Sequence, residues 1–82
     1  AARDPLRARI LEAMRRARAG ATEFKVVMAA WVRDGVMDGL TIKLAQRGVN
    51  AGKYLVADDR SGNTKSKPYT WATLRKLHSE AG

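Results

Sequence analysis

Cysteine is absent from the 82-residue sequence, and histidine occurs only once. Without thiols the chain can form neither a disulfide nor a thiolate metal site, and it has no cysteine nucleophile. The single histidine, His78, makes by itself neither a catalytic triad nor a metal site. We therefore expect a protein that is not an enzyme and that uses no cofactor. The missing cysteines also fit a cytoplasmic location, associated with the nucleoid if the source is bacterial.

Long apolar runs are missing too. The longest one, residues 26–32, falls far short of the ~18–20 residues that a membrane span requires, so we expect no membrane partner. The length suits one domain, which we assign to residues 1–82, and the apolar fraction of 45% allows a single core. A chain this short buries a modest share of its surface and is only marginally stable by itself.

Negative charge is scarce, and this shortage is the most informative feature of the composition. Sixteen Lys and Arg residues face eight Asp and Glu residues, which gives a net charge of +8. Residues 3–18 contain six arginines against two acids, and residues 60–79 contain five cations and no acid. Such a chain attracts polyanions, which include DNA, RNA, anionic lipid and acidic proteins. A charged outer face can also serve solubility alone, but a merely soluble helix usually mixes charges of both signs.

Two helices are predicted in the first half of the chain. The first has Asp4 as its N-cap, Pro5 at its first position and Gly20 after its end. The second runs from Thr22 as N-cap to Asp34 and is closed by Gly35. Its apolar residues recur at helical spacing and leave little polar surface, so we expect it to form the buried centre of the core.

The segment 38–48 has two interpretations. Alternation of Leu40, Ile42 and Leu44 favours a strand, whereas a cap at Asp38 or Thr41 and a stop at Gly48 favour a short helix. We favour the helix. Further on, residues 53–57 predict a strand, 58–63 a turn and 64–67 a polar return strand that Pro68 breaks. A final helix begins after Thr70, with Trp71, Leu74 and either Leu77 or His78 facing inward.

This order of elements predicts an α+β, mainly helical domain with a helix-turn-helix or winged-helix arrangement, a β-hairpin and a C-terminal helix. Residues 24–34 and 40–47 would be the two helices of the turn motif. In that arrangement Lys43 and Arg47 would point into the major groove of DNA. Residues 60–67, beginning with Arg60, would form a wing over the phosphate backbone.

The tail from Tyr54 to Gly82 also resembles the C-terminal DNA-binding domain of nucleoid-structuring silencers of the H-NS and MvaT type. The shared features are a Tyr-led strand, an Asp/Ser/Gly/Asn turn, a Thr/Lys return strand, a basic loop and a short helix containing residues 73–76. The resemblance implies that residues 65–69 (KSKPY) take the place of the loop that enters the minor groove. It covers about a third of the chain, and the first fifty residues do not share it.

Two short motifs resemble functional sites, one a phosphate-binding loop and the other a metal site. Residues 48–53 (GVNAGK) have three residues between their glycines, whereas a phosphate-binding P-loop has four and needs Ser or Thr after its Lys. Here Tyr54 follows the Lys. The adjacent acids Asp58 and Asp59 would point to opposite faces of a strand, so they do not easily chelate one ion. We interpret both motifs as turns.

The three aromatic residues most relevant to function have different environments. Trp31 lies on the apolar stripe of the second helix, and we assign both Trp31 and Trp71 to the core. Tyr69 lies between Lys67 and Arg75, where an aromatic ring can stack on a base or sugar. The alternative is that Tyr69 packs over the start of the last helix.

We therefore predict a DNA-binding protein, either a small transcriptional regulator or an architectural protein, that binds double-stranded DNA through its phosphate backbone. The alternatives are an RNA-binding domain and an interaction module for an acidic protein, and the oligomeric state is left open. An amphipathic basic first helix could also lie on a membrane, but its apolar stripe has no aromatic residue and can be covered by the second helix. The predicted binding residues are Lys65, Lys67, Tyr69, Arg75 and Lys76, followed by Lys43, Arg47 and Arg60.

Overall fold

The computed structural model describes residues 4–20, 23–59 and 63–82. Over these ranges the chain forms three helices and one four-stranded antiparallel sheet, so the α+β class is confirmed. The elements, in chain order, are α1 (Pro5–Arg18), α2 (Phe24–Asp34), β1 (Val36–Met37), β2 (Leu40–Leu44), β3 (Tyr54–Asp58), β4 (Asn63–Tyr69) and α3 (Trp71–Glu80).

Helix α1 has the cap that its sequence predicts. The Asp4 Oδ1 atom accepts hydrogen bonds from the backbone N–H groups of Leu6, at 3.1 Å, and Arg7, at 3.3 Å. Pro5 follows directly, where its missing N–H costs no helical bond. One stripe of α1 enters the core, and its buried residues are Leu6, Ile10, Ala13 and Met14.

Helix α2 differs from its prediction at its start and in its burial. Its N-cap position is Glu23, whereas Thr22 lies outside the described residues. Gly35 ends the helix with φ of 76°, a left-handed conformation that glycine adopts without strain. Trp31 is buried, but Val26 and Val32 are about half exposed. The expectation that α2 forms the buried centre of the core therefore holds for one face only, which carries Val27, Met28 and Trp31.

The short helix predicted within 38–48 is wrong, because Leu40–Leu44 form strand β2. Asp38 and Gly39 have φ values of 51° and 80° and connect β1 to β2 as a two-residue hairpin turn, in which Met37 pairs with Leu40. The Trp31 Nε1–H donates to the Leu40 carbonyl at 2.9 Å inside the core. This bond and the burial of Leu40 and Ile42 favour the strand.

Because this segment is a strand, the second helix of the predicted helix-turn-helix motif is absent from the described residues. Residues 40–44 are a strand, and residues 45–47 are not helical, so no recognition helix forms over 40–47. Lys43 lies on β2, and Arg47 lies in the loop between β2 and β3. The winged-helix details are therefore not confirmed, although a β-hairpin and a C-terminal helix do follow.

The sheet has the strand order β1-β2-β3-β4, in which each strand pairs with the next one along the chain. Pro68 does not break the return strand, because β4 continues through it, with Leu55 opposite Pro68 and Tyr54 opposite Tyr69. Proline is tolerated here because β4 is an edge strand, in which a missing N–H can face away from the partner strand.

The core lies between one face of the sheet and the helices. Leu40 and Ile42 of β2 and Val56 of β3 contribute to it from the sheet. Helix α3 packs beside α1 and adds Leu74 and Leu77. None of the described helices is long and apolar enough to cross a membrane.

Candidate nucleic-acid interface

Two arginines of α1 bind the acids at one end of the sheet. The Arg9 Nε–H donates to Asp58 at 3.2 Å, and its Nη2–H donates to the backbone carbonyl of Asp38 at 2.8 Å. The Arg16 guanidinium contacts Asp38 at 2.9 Å and Glu12 at 2.8 Å. We call this group the acidic end. Its arginines attach α1 to the β1–β2 turn and to the end of β3, so they serve the fold.

A third arginine of α1 binds helix α3. The Arg18 Nη1–H donates both to Nδ1 and to the backbone carbonyl of His78, each at 3.1 Å. Because an arginine is always a donor, Nδ1 of His78 must accept, and the imidazole is neutral. Burial, and then the charge of Arg18, lower the pKa of His78 below its ordinary value. Within the described ranges the buried Nε2 has no hydrogen-bond partner, and the Phe24 ring lies 5.4 Å from the His78 ring.

The opposite end of the sheet carries cations in place of acids. Leu44 pairs with Tyr54 at this end, whereas Leu40 pairs with Asp58 at the acidic end. The four residue steps from Leu40 to Leu44 correspond to about 13 Å along the strand. Lys43 and Arg47 are exposed here, and together they line one shallow surface depression.

Trp71 lies at this same end. Its ring centroid is 4.7 Å from that of Phe24, in an edge-to-face arrangement, and 6.2 Å from that of Tyr54. Trp71 is nevertheless 39% exposed, so the expectation that it faces inward is wrong. Trp71 is the first residue of α3, and the buried residues of this helix, Leu74, Leu77 and His78, come later in it. The side chains of Lys25 and Arg75 line a cleft beside it.

We call the four cations at this end of the sheet the basic end: Lys25, Lys43, Arg47 and Arg75. None of them forms an ion pair with any residue that the structure describes. Lys25 and Arg75 line the cleft beside Trp71 on the side of the helices, whereas Lys43 alternates with core-facing Ile42 and so lies on the other face of the sheet at the same end. Glu12, Asp38 and Asp58 are thus paired with arginines at the acidic end, whereas the cations of the basic end form no ion pair with a described residue.

Tyr69 lies in the core. Its ring is 5% exposed, and its hydroxyl donates to Asp4 Oδ2 at 2.7 Å. Burial, and then the Asp4 carboxylate, raise the pKa of the Tyr69 phenol. Partial burial also acts to raise the pKa of Asp4, but its hydrogen bonds, from Tyr69 first, hold that pKa below its usual value. The structure thus favours packing over base stacking as the role of Tyr69.

The remaining predicted residues do not gather at one place. Lys67 extends from β4 to within 3.4 Å of Asp4 Oδ1, and Lys65 is exposed on the same strand. Lys76 is exposed on α3 but points about 100° around the helix from Arg75. Arg60 lies outside the described residues. Of the predicted set, only Lys43, Arg47 and Arg75 belong to the basic end.

Sequence reasoning missed Lys25 and Trp71 as members of this surface. Lys25 is the one cation near the start of a helix that otherwise reads as apolar. Trp71 follows the N-cap Thr70, whose Oγ1 accepts from Thr73 N–H at 3.2 Å. The sequence signal for partial exposure of Trp71 was its position in the first turn of the last helix.

Comparison with known protein families, curated proteins and solved structures found no match. The resemblance of residues 54–82 to the nucleoid-structuring silencers therefore stays a prediction. The two strands and the helix that it implies are present, and most of the turn between the strands lies outside the described residues, but residues 65–69 lie in strand β4 and not in a loop. In the ranges that the structure covers, no three His, Cys, Asp or Glu residues are grouped to hold a metal ion.

Proposed function

We propose that the chain binds nucleic acid, with double-stranded DNA as the first choice, and that the basic end contacts the phosphate backbone. The observation that supports this proposal is the set of four cations at one end of the sheet, away from the neutralised acids, that form no ion pair with any described residue. A surface of one sign concentrates a polyanion near it and accelerates association.

The proposal uses the structural roles of the arginines in α1. Arg9, Arg16 and Arg18 are engaged with the fold, so the lopsided charge of that helix does not by itself define a binding face. We therefore assign the binding surface to the cations of the basic end, which form no ion pair with a described residue, and not to α1. Three further exposed cations, Lys65, Lys67 and Lys76, extend the proposed surface, although Lys67 is also paired with Asp4.

The salt dependence of binding tests this proposal. Neutralising phosphates releases condensed counterions, so the logarithm of affinity falls linearly with the logarithm of salt, with a slope of about −0.9 per phosphate. Four contacts from the basic end predict a slope of about −3.5 on duplex DNA, and non-specific binding predicts a Kd of about 10⁻⁴ to 10⁻⁶ M near physiological salt. Fluorescence anisotropy of a labelled duplex over a salt series measures both quantities.

Matched charge reversals locate the surface. Arg47→Glu should weaken binding and reduce the slope by about one unit or more, because one counterion is no longer displaced. Arg15→Glu changes the net charge equally on an exposed position of α1 and should leave the slope nearly unchanged. The paired reversal Lys65→Glu with Lys67→Glu reports whether strand β4 belongs to the surface.

The outcomes separate the alternatives. Equal losses from Arg47→Glu and Arg15→Glu would overturn the assignment of the surface, because only total charge would matter. A stronger affinity for RNA than for duplex DNA of equal length would replace DNA by RNA. A slope near zero, or no binding at low salt, would refute the proposal that the chain binds nucleic acid. An acidic protein would then be the partner class.

A further inference from the structure

The exposed indole of Trp71 forms one wall of a cleft of about 310 Å³. The cleft is lined by Glu23, Phe24, Lys25, Trp71 and Arg75, which come from the start of α2 and the first turns of α3. This volume is at the lower limit of the ~300–1,000 Å³ that small-molecule sites occupy. The cleft therefore suits one planar ring better than a peptide or a helix.

The indole is held in position by its neighbours. The Phe24 ring contacts the indole edge to face, and the Tyr54 ring lies 6.2 Å from it. The Thr70 side chain caps the first turn of α3, which carries Trp71. A ring that is held in this way loses little freedom when a ligand stacks on it, so more of the contact energy remains as affinity. Trp31, the other tryptophan, is 1% exposed and cannot serve this purpose.

The charges around the ring suit a nucleotide. Lys25 and Arg75 can each bind a phosphate, and an exposed aromatic face beside cations is the combination that single-stranded nucleic-acid sites use. Glu23 is the acid of this cleft, and its carboxylate can accept a hydrogen bond from a base amino group. An anionic lipid would use the cations but would have no need for a fixed aromatic ring.

We infer that this cleft, the Trp71 cleft, stacks one unpaired base of the nucleic acid bound at the basic end. The inference rests on the proposed function and narrows its substrate class. Bases inside a closed duplex have their faces covered by neighbouring bases, so a stacking residue needs a base that has left the stack. The preferred substrate is then duplex DNA with an adjoining single-stranded stretch.

Three DNA ligands test the inference on the unaltered protein. They are a blunt duplex, the same duplex with a short single-stranded overhang, and that overhang with every base replaced by an abasic site. The overhang should bind on the order of tenfold more tightly than the abasic overhang, because both carry the same phosphates and only the first can stack. Affinities are measured at one salt concentration by anisotropy.

Variants connect the preference to Trp71. Trp71→Ala should abolish the difference between normal and abasic overhangs, and Trp71→Phe should retain most of it because the ring is kept. Thermal unfolding of each variant checks that the fold survives the loss of contacts with Phe24 and Tyr54. Arg15→Gln, at an exposed position of α1 outside the cleft, is the control: it should leave the ratio of affinities for the normal and abasic overhangs unchanged.

Fluorescence supplies a second readout. An unpaired base stacked on Trp71 should quench indole emission when the overhang is added, and the abasic overhang should not. In Trp71→Phe the remaining emission comes from buried Trp31 and should not respond to either ligand.

Each outcome has one meaning. Equal affinity for the normal and abasic overhangs would overturn the stacking site and leave the proposed function intact. A loss of the same size on all three ligands in Trp71→Ala would show that Trp71 only supports the fold. No binding to any of the three would overturn both proposals.

Discussion

Asp4 makes hydrogen bonds both to the first turn of α1 and to a distant strand. Its carboxylate caps α1, accepts the Tyr69 hydroxyl from the end of β4 and lies 3.4 Å from Lys67. One side chain therefore joins the start of the first helix to the edge of the sheet. The residues that it connects are more than sixty positions apart in the chain, so the contact also stabilises the closure of the whole domain.

Asp4→Ala should lower the free energy of unfolding by about 2–4 kcal/mol, since an N-cap contributes about 1 kcal/mol and an orphaned buried hydroxyl costs about 1–3 kcal/mol. Urea denaturation measures the change. Tyr69→Phe is the informative comparison, because it removes the hydroxyl and leaves the cap, and it should cost about 1 kcal/mol. A larger loss in Tyr69→Phe than in Asp4→Ala would contradict this account.

His78 makes stability depend on pH. Its folded pKa is lowered, by burial first and by Arg18 second, from an ordinary value of 6.5. The unfolded chain therefore takes up a proton more readily than the folded one, so the contribution is fully present above pH 6.5 and is lost as pH falls towards the lowered folded pKa. We expect the melting temperature to fall over this window.

His78→Gln tests the assignment, because glutamine can still accept from Arg18 but does not titrate. The variant should have a flatter melting temperature between neutral pH and the low-pH side of the window. Asp4 titrates below its usual carboxylate range and so does not interfere. An equally steep decline in His78→Gln would assign the pH dependence to another group.

At the scale of elements, the β1–β2 hairpin decides how the middle of the chain folds. Its turn needs two successive residues with positive φ, and Asp38-Gly39 is one of the pairs that tolerate this. In the sequence this dipeptide, flanked by the apolar residues Met37 and Leu40, is a recognisable hairpin signal. Alternation over 40–44 agreed with it, so the strand could have been predicted from local signals alone.

Gly39→Val should destabilise the protein by about 1–2 kcal/mol, because a β-branched residue is strained at a φ of 80°. Gly39→Asn should cost less, since asparagine tolerates the left-handed region. Thermal melts of both variants provide the comparison. If the two variants were equally stable, the turn geometry would not be what holds β2 against β3.

At the scale of the whole molecule, charge is separated along the sheet. Arg9 and Arg16 neutralise acids at one end, whereas the basic end keeps cations without ion pairs among the described residues. We therefore expect the net charge of +8 to act more strongly from the basic end than from the acidic end. This separation is what the salt-slope and charge-reversal measurements test, because a uniformly distributed charge would make Arg15 and Arg47 equivalent.

The sequence by itself determined the features that depend on neighbours along the chain. The cap at Asp4, the stop at Gly35 and the buried stripe through Trp31 follow from helical period and from backbone preference. The β3–β4 hairpin follows from turn formers between two strand-like runs. Net charge, and with it the class of partner that we propose, is likewise a property of composition.

Only the tertiary structure decided which cations belong to the fold and which are available. Arg9 and Arg47 look alike in the sequence, but Arg9 meets Asp58, forty-nine residues away, while Arg47 meets no carboxylate in the described part of the chain. Burial of Tyr69 and exposure of Trp71 were likewise decided by packing between distant elements. Ion pairing and burial depend on distances in space, and those distances exist only once the sheet and helices have assembled.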